Sequence, residues 1–354
     1  MTLPTESIGS IPRPPALLEG IEQFRLGKLS QAKLDALYEE ALKDTIVRLE
    51  VTGSPVISDG EQTKSSFATY PLVNLSNIAA DGVTIPFEDG HTRQLPRLTA
   101  GPFKYGVHAG TYVNAAKRYA HKPIKQAVIS ASALSLLYPA EGVHGYSRET
   151  FITDLIQETV ADIRGCFEAG AYHVQIDFTE GRLSVKLDPS KKLLHDFIDL
   201  NNRVLNHFTT EERKRIGVHT CPGGDHDSTH SADVDYADLI PDLFKLEVAN
   251  FYMQLASEKK PEHVLSIIKN HLKPGQRVYV GVIDVINPDV EEPEQVRDRI
   301  LQAAEYIPVV QLGTTDDCGF SPFEDDISTG RDTAFAKIKS RVIGTELASK
   351  ILNC

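Results

Sequence analysis

The stretch Ile216-Gly217-Val218-His219-Thr220-Cys221 is a short apolar run that ends in polar and metal-ligating side chains. A run of this length is typical of a strand that is buried on both faces of a parallel sheet. Seven other runs share the pattern, and longer amphipathic segments separate them, which indicates repeated βα units. These seven runs are residues 7–10, 55–59, 124–131, 173–177, 250–254, 278–284 and 309–313.

Segments with helical periodicity lie between these runs, the longest being residues 31–51, 148–169, 190–208, 261–272, 291–306 and 329–352. Ser147 is the predicted N-cap of the second, and Ser328 or Thr329 that of the last. Eight strands alternating with helices predict an α/β fold, a single (β/α)8 TIM barrel over residues 1–354. Residues 67–123, rich in Gly and Pro, are predicted to be a hairpin or lid inserted after the second strand.

The composition excludes several kinds of partner. Of the 354 residues, 41% are hydrophobic, so the chain can bury a large core. With 37 basic and 49 acidic side chains, the net charge of −12 would repel a nucleic-acid backbone. No apolar stretch is long enough to span a membrane, and the N-terminus lacks a secretion-signal pattern. We expect a cytoplasmic protein that acts on small molecules, and the sequence leaves a homo-oligomer open.

The ends of the predicted strands carry candidate metal ligands. Active sites of (β/α)8 barrels form at the carboxyl ends of the strands. His219 and Cys221 end one strand and, because side chains alternate along it, lie on the same side. Cys318, after the last strand, could supply a third ligand, which indicates Zn²⁺ with one open position. The alternative is that both cysteines are inert and that His219 is a loop residue.

The remaining cysteines and two nearby histidines have simpler interpretations. Cys166 falls in an amphipathic helix and is predicted to be a core residue, and Cys354 is expected to be idle at the terminus. His226 and His230 have the i, i+4 spacing of a helical metal pair. Because Pro and Gly occupy residues 222–224, we expect a loop facing the substrate there instead.

Several strand-end motifs together resemble the catalytic domain of cobalamin-independent methionine synthase. The wider superfamily also contains epoxyalkane:coenzyme M transferase and uroporphyrinogen decarboxylase. The resemblance covers nearly the whole chain. Its motifs are Ile8-Gly9-Ser10-Ile11-Pro12-Arg13, Ser58-Asp59-Gly60-Glu61-Gln62, Gln175-Ile176-Asp177, His219-Thr220-Cys221 and Asp316-Asp317-Cys318-Gly319.

This resemblance implies a zinc-dependent transfer of a methyl group, from methyltetrahydrofolate or another donor, to homocysteine. The implied zinc ligands are His219, Cys221 and Cys318, with the homocysteine thiol as the fourth ligand. Zinc would deprotonate that thiol. The residues implied to hold the amino acid part of the substrate are Ile8, Gly9, Ser10, Glu61 and Asp177. Carboxylates suit an α-ammonium group, and backbone amides suit a carboxylate.

Two positions depart from the family pattern. Gln254 stands where the family has a glutamate zinc ligand, and a neutral amide is a weak ligand. Ile286 stands where the family has a histidine that assists protonation of the departing folate nitrogen. Loss of a positioned acid should lower the rate by about two to four decades. Asp284 is the nearest substitute, so Asp284 and Asp177 are the candidate catalytic carboxylates.

These departures leave other functions open. A zinc-dependent thiol alkyltransferase could open an epoxide, with His226, His230 or Tyr112 protonating the alkoxide. An activity like that of uroporphyrinogen decarboxylase needs no metal, and both the net charge and the His-x-Cys pair argue against it. A non-catalytic barrel would hold no stoichiometric metal.

Overall fold

The computed structural model describes residues 2–354 as an α/β protein built around a six-stranded parallel sheet. The strands are β1 Ile78–Ala79, β2 Thr84–Pro86, β3 Thr92–Gln94, β4 Arg97–Leu98, β5 Lys125–Ile129, β6 His173–Asp177, β7 Ile216–Thr220, β8 Gly224–Asp225, β9 Ser228–Thr229, β10 Asn250–Met253, β11 Arg277–Ile283 and β12 Leu312–Asp316. The sheet has the order β12-β11-β10-β7-β6-β5, and the predicted α/β class is confirmed.

Helices connect and cover the strands. They are α1 Pro15–Arg25, α2 Gln31–Val51, α3 Gly110–Lys117, α4 Ala131–Ser135, α5 Arg148–Glu168, α6 Glu180–Leu187, α7 Lys192–Leu205, α8 Thr210–Arg213, α9 Ile240–Leu243, α10 Pro261–His271, α11 Pro293–Ala304 and α12 Arg331–Leu352. Every residue of β5, β6, β7 and β10 is buried, because helices cover the outer face of the sheet. No helix within residues 2–354 has both the length and the apolar character needed to cross a membrane.

The first two predicted strands are reduced to isolated bridges. Parallel bridges join Thr5 to Thr314, Glu6 to Val56 and Ile57 to Ile124, so two short segments connect the outer edges of β12 and β5. The predicted strand at residues 7–10 was therefore placed too late. Pro4 and Pro55 flank these segments, and a proline cannot donate to a strand ladder.

Two local predictions near the C-terminus were wrong. The last strand begins at Leu312 rather than 309, because Pro308 precedes a 3-10 turn at Val309–Gln311. The N-cap of α12 is Gly330, which offers no side chain, while the hydroxyl of Ser328 donates to Asp326. The predicted cap at Ser147 is confirmed, since its hydroxyl accepts a hydrogen bond from the amide of Thr150.

The interior of the sheet contains a buried polar cluster. The carboxylate of Glu6 contacts the ring of His173 at 2.9 Å and accepts a hydrogen bond from the Tyr252 hydroxyl at 2.7 Å. The ammonium group of Lys125 lies 3.7 Å from it. Burial would raise the pKa of Glu6, but the hydrogen bond from His173 and the charge of Lys125 lower it to about 2.

The segment predicted as an insertion contains two antiparallel strand pairs, β1 with β4 and β2 with β3, followed by α3. The β2–β3 hairpin contacts two loops at the carboxyl end of the sheet. Arg93 of β3 donates hydrogen bonds to Asp225 after β7 and to Asp325 after β12. The insertion is thus attached to the edge of the sheet where the candidate site lies.

Candidate metal centre

The three predicted metal ligands lie together. One ligand atom from each of His219, Cys221 and Cys318 lies within 4.8 Å of the other two. His219 is in β7, Cys221 directly follows β7, and Cys318 follows β12. The sulfur atoms of the two cysteines are 3.2 Å apart. Cys221 is buried and Cys318 is partly exposed, so the triad is reached from the side of Cys318.

The imidazole of His219 is oriented by the backbone. Its Nδ1 lies 3.2 Å from the carbonyl oxygen of Tyr252, and its Nε2 has no hydrogen-bond partner within residues 2–354. Since a carbonyl oxygen only accepts, Nδ1 carries the proton and Nε2 carries the free lone pair. A buried, unpartnered lone pair beside two thiols suits a soft or borderline divalent cation.

Gln254 directly follows β10, and its side chain is held at one end. Its amide nitrogen donates to the hydroxyl of Ser257 at 2.6 Å, while its oxygen Oε1 is buried and has no hydrogen-bond partner in the described part of the chain. Asp317 anchors this turn by accepting from three successive backbone amides that begin at Leu255, and from the Ser257 hydroxyl. A side chain at Gly281 would collide with Asp317, since its Cβ would lie 2.0 Å from Oδ1.

A cavity of about 350 Å³ opens beside the triad. Seven of the predicted site residues border it, namely Ile8, Gly9, Ser10, Glu61, Asp177, His219 and Cys318. Cys221, Gln254 and Asp284 are not among its lining residues. The cavity therefore collects the residues predicted for the substrate head group together with the exposed side of the triad.

Glu61 forms a buried ion pair inside this region. Its carboxylate lies 2.9 Å from the ammonium group of Lys64, which also donates to the carbonyl oxygen of Ala127. Burial lowers the pKa of Lys64, but the charges of Glu61 and Asp59 outweigh this and raise it. Glu61 thus already has a cationic partner, which sequence reasoning missed because Lys64 carries no motif.

Asp177 forms no ion pair of this kind within residues 2–354, although the charges of Lys64 and Lys125 act on it. Its Oδ1 accepts a hydrogen bond from the Gln175 amide at 2.8 Å, and burial raises its pKa. Glu180, three residues later, also borders the cavity and was not predicted. Its position one turn after a polar strand end was a signal that could have identified it.

The insertion supplies part of the wall of the cavity. Phe67, Phe87 and Arg93 are among its lining residues. The ring of His230 packs edge-on against Phe87 at 5.5 Å between centroids, and burial lowers the pKa of His230 to about 4. His230 therefore lies in a loop that faces the cavity, as expected.

A second group of ligand-type side chains lies at the rim. Single ligand atoms of Asp225, His226 and Asp326 are within 4.8 Å of one another. Arg93 already donates to Asp225 and contacts Nε2 of His226 at 3.2 Å, and Asp326 accepts from Ser328. These atoms are engaged with Arg93 and a hydroxyl, so the group is an ion network that holds the hairpin.

Asp284 and Ile286 lie apart from the cavity. The Asp284 carboxylate accepts from the backbone amides of Ile286 and Asn287, so it stabilises the turn after β11. Ile286 packs against the hydrophobic core. Cys166 is fully buried in α5, where the sequence predicted it.

Comparison with known proteins identifies the family. Residues 3–329 match the model of the cobalamin-independent synthase catalytic domain. Methionine synthase of Sulfurisphaera tokodaii is 22% identical, with 99% of this chain and 94% of that protein covered. A 5-methyltetrahydropteroyltriglutamate–homocysteine methyltransferase of Trichodesmium erythraeum is 23% identical, but only 44% of its length is covered.

Solved structures agree on the fold. The B12-independent methionine synthase of Shewanella sp. W3-18-1, in complex with selenomethionine, has a TM-score of 0.76 at 19% identity, covering 100% of this chain and 99% of that one. A putative vitamin-B12 independent methionine synthase of Listeria monocytogenes has a TM-score of 0.74 at 20% identity, with 98% of both chains covered. The family match over most of the chain makes the protein an enzyme of the methionine synthase family, a class of methyltransferases. The chain belongs to the cobalamin-independent synthase catalytic domain family.

Proposed function

We propose that this protein transfers a methyl group to the thiol sulfur of homocysteine, with Zn²⁺ held by His219, Cys221 and Cys318. The observation that carries the proposal is that these three ligand atoms lie together beside a cavity that is also lined by the carboxylates Glu61 and Asp177. The free lone pair on Nε2 of His219 and the two close thiols fit a zinc ion. When bound, zinc lowers the pKa of a substrate thiol so that it reacts as a thiolate.

The head group of the substrate would bind next to the triad. Asp177 accepts hydrogen bonds from the α-ammonium group. Since it forms no ion pair within residues 2–354, its carboxylate has more acceptor capacity for the substrate than Glu61, which is paired with Lys64. Glu61, paired with Lys64, orients the same ammonium group. Gly9 and Ser10 border the cavity. Their backbone amides bind the substrate carboxylate in this proposal. The Shewanella protein was solved in complex with selenomethionine, an amino acid of the kind proposed here.

The fold around the site is proposed to be a closed (β/α)8 barrel in which residues 1–354 form one unit. The bridges at Thr5, Glu6 and Ile57 support closure, since they link β12 to β5 through two further parallel segments. The insertion at residues 67–123 acts as a lid that excludes water from the cavity. Two reduced thiols in the site support a cytoplasmic location.

The methyl donor is proposed to be 5-methyltetrahydrofolate, as the name of the Trichodesmium relative supports. The test uses purified protein loaded with Co²⁺ in place of zinc, because cobalt–thiolate absorption reports the ligands directly. Homocysteine, coenzyme M and glutathione are added in turn, and methionine formation is then assayed with zinc-loaded protein and 5-methyltetrahydrofolate. We expect a spectral change specific to homocysteine and production of methionine.

A spectral response to coenzyme M or glutathione, and not to homocysteine, would mean that another thiol is the acceptor. It would favour a different thiol alkyltransferase activity. Failure to bind one metal ion per chain under reducing conditions would remove the basis of the proposal. The matched control is the Cys166→Ser variant loaded with Co²⁺, which should show the same absorption as the wild type. The Cys166 thiol is buried in α5 and is not one of the proposed ligands.

A further inference from the structure

Glu180 is a buried carboxyl group at the wall of the cavity. It is the first residue of α6, and it is only 6% exposed although it borders the cavity. Three residues earlier, Asp177 of β6 pairs with His219 of β7 in the sheet. Glu180 therefore lies at the same end of the sheet as the metal ligands, next to the position proposed for the substrate.

The two oxygens of this carboxyl group have different surroundings. Oε1 accepts hydrogen bonds from the hydroxyls of Ser130, at 2.5 Å, and Ser132. Asn201 donates in turn to the Ser132 hydroxyl at 2.7 Å and so holds it in place. Oε2 is buried and has no partner within residues 2–354. A charged oxygen without a donor is costly to bury, so this arrangement suits a neutral acid with its proton on Oε2.

The surrounding charges favour the neutral form. Burial, together with the negative charge of Asp177, raises the pKa of Glu180 to about 7 against the opposing effect of the hydrogen bonds from Ser130 and Ser132. Arg182, on the same helix, donates instead to Glu258 and to the backbone. At neutral pH the group is thus close to its midpoint, which is the best condition for donating and regaining a proton.

We propose that Glu180 is the general acid of the methyl transfer, an inference that rests on the function proposed above. The substrate sulfur forms a bond to the methyl carbon, the carbon–nitrogen bond of an N-methyl amine donor breaks, and its electron pair stays on the nitrogen. That nitrogen takes the proton of the Glu180 carboxyl group. The resulting Glu180 carboxylate regains a proton from water after the products leave. Glu180 thereby supplies the acid that Ile286 cannot supply and that Asp284, which does not line the cavity, is not placed to supply.

The first test is the Glu180→Gln variant, which keeps an acceptor oxygen for both serines but has no proton to release. With 5-methyltetrahydrofolate we expect kcat to fall by about 10²- to 10⁴-fold, while zinc content and the KM for homocysteine stay unchanged. Glu158→Gln is the matched control, since Glu158 is a buried carboxyl of α5 outside the cavity. Its kcat should equal that of the wild type.

Two further measurements separate an acid from a structural residue. Ser132→Ala removes one donor to Oε1, so the alkaline limb of kcat/KM should move to higher pH. Independently of turnover, the unfolding free energies of wild type and Glu180→Gln are compared from pH 5 to 9. Because the neutral form is favoured in the fold, the wild type should lose stability relative to the variant as pH rises from 4.5 through about 7.

If the wild type is active and the Glu180→Gln variant keeps the full kcat, Glu180 is not the general acid, but the proposed methyl transfer stands. A stability difference that does not change with pH would also overturn the role of Glu180 as the acid, since Glu180 would then be ionised throughout. A wild type that makes no methionine would overturn the proposed function and the role of Glu180 with it.

Discussion

Nδ1 of His219 lies 3.2 Å from the carbonyl oxygen of Tyr252, its direct neighbour in the parallel pairing of β7 with β10. This contact assigns the proton to Nδ1 and leaves Nε2 free for a metal. His219 is only 1% exposed, so the packing around the ring holds it in this orientation. The pairing of two strands therefore selects the tautomer that a zinc site needs.

Removal of either thiol from the triad should release the metal. For Cys221→Ser and for Cys318→Ser we expect the zinc affinity to fall by more than about 100-fold, since loss of an outer-shell partner alone can reach that figure. Metal content after dialysis against a chelator measures this. Cys166→Ser should retain one zinc per chain. Full zinc retention in either triad variant would show that the assigned ligands are wrong.

Restoring a carboxylate at position 254 should strengthen metal binding. In Gln254→Glu a charged oxygen replaces the unpartnered Oε1, and we expect the dissociation constant for zinc to fall about tenfold, or ~1.4 kcal/mol. Competition with a chromophoric chelator gives the constant. Gln157→Glu adds the same charge on the exposed face of α5 and should change nothing. An unchanged constant in both variants would place residue 254 outside the coordination sphere.

Arg93 should hold the insertion against the sheet. Its guanidinium bridges the buried Asp225 and the more exposed Asp325. In Arg93→Ala the free energy that holds the hairpin against the sheet should fall by about 1 kcal/mol. Amide hydrogen exchange in residues 84–94 should therefore be about fivefold faster. Arg97→Ala is the control, because Arg97 pairs with Asp81 inside the insertion. Equal exchange in both variants would argue that Arg93 does not secure the hairpin.

The stability of the fold should depend on Glu6 in acid. Its pKa lies near 2 against an ordinary 4.5, so the charged form contributes stability above pH 4.5 that is lost as pH falls towards 2. The full contribution is at most about 3 kcal/mol. Urea unfolding should show that the deficit of Glu6→Gln at pH 6 shrinks at pH 3. The exposed Glu19→Gln variant should have the same unfolding free energy as the wild type at both pH values. If the deficit of Glu6→Gln were the same at pH 6 and pH 3, ionisation of Glu6 would not be linked to stability.

Much of the fold was predictable because buried strands and amphipathic helices carry their periods in the sequence. The prediction for residues 31–51 coincides with α2, and that for residues 173–177 coincides with β6. The errors fall where proline intervenes: Pro4 and Pro55 limit two strands to bridges, and Pro308 delays the last strand. Whether a short apolar run completes a ladder depends on partners that are remote in sequence.

The metal ligands of the site could be predicted from the sequence, but the buried acid Glu180 could not. The alternation of side chains in residues 219–221 is local, so the His-Cys pair could be derived directly. Cys318 is almost a hundred residues away, and it could be proposed as a third ligand only because it also follows a predicted strand of the same fold. The sequence could not distinguish Asp284 from Glu180 as a candidate acid. Both follow strand ends, but Asp284 accepts from backbone amides in a turn, and Glu180 borders the cavity.

The sequence by itself determined the α/β class, the family and the chemical types available at the strand ends, because these depend on local periodicity and on short motifs. Only the tertiary structure decided which groups have partners. It paired Glu61 with Lys64, directed Nδ1 of His219 to a carbonyl oxygen, and left Oε2 of Glu180 without a donor. Burial and hydrogen bonding set the charge of a side chain, and both arise from residues that fold together from distant parts of the chain.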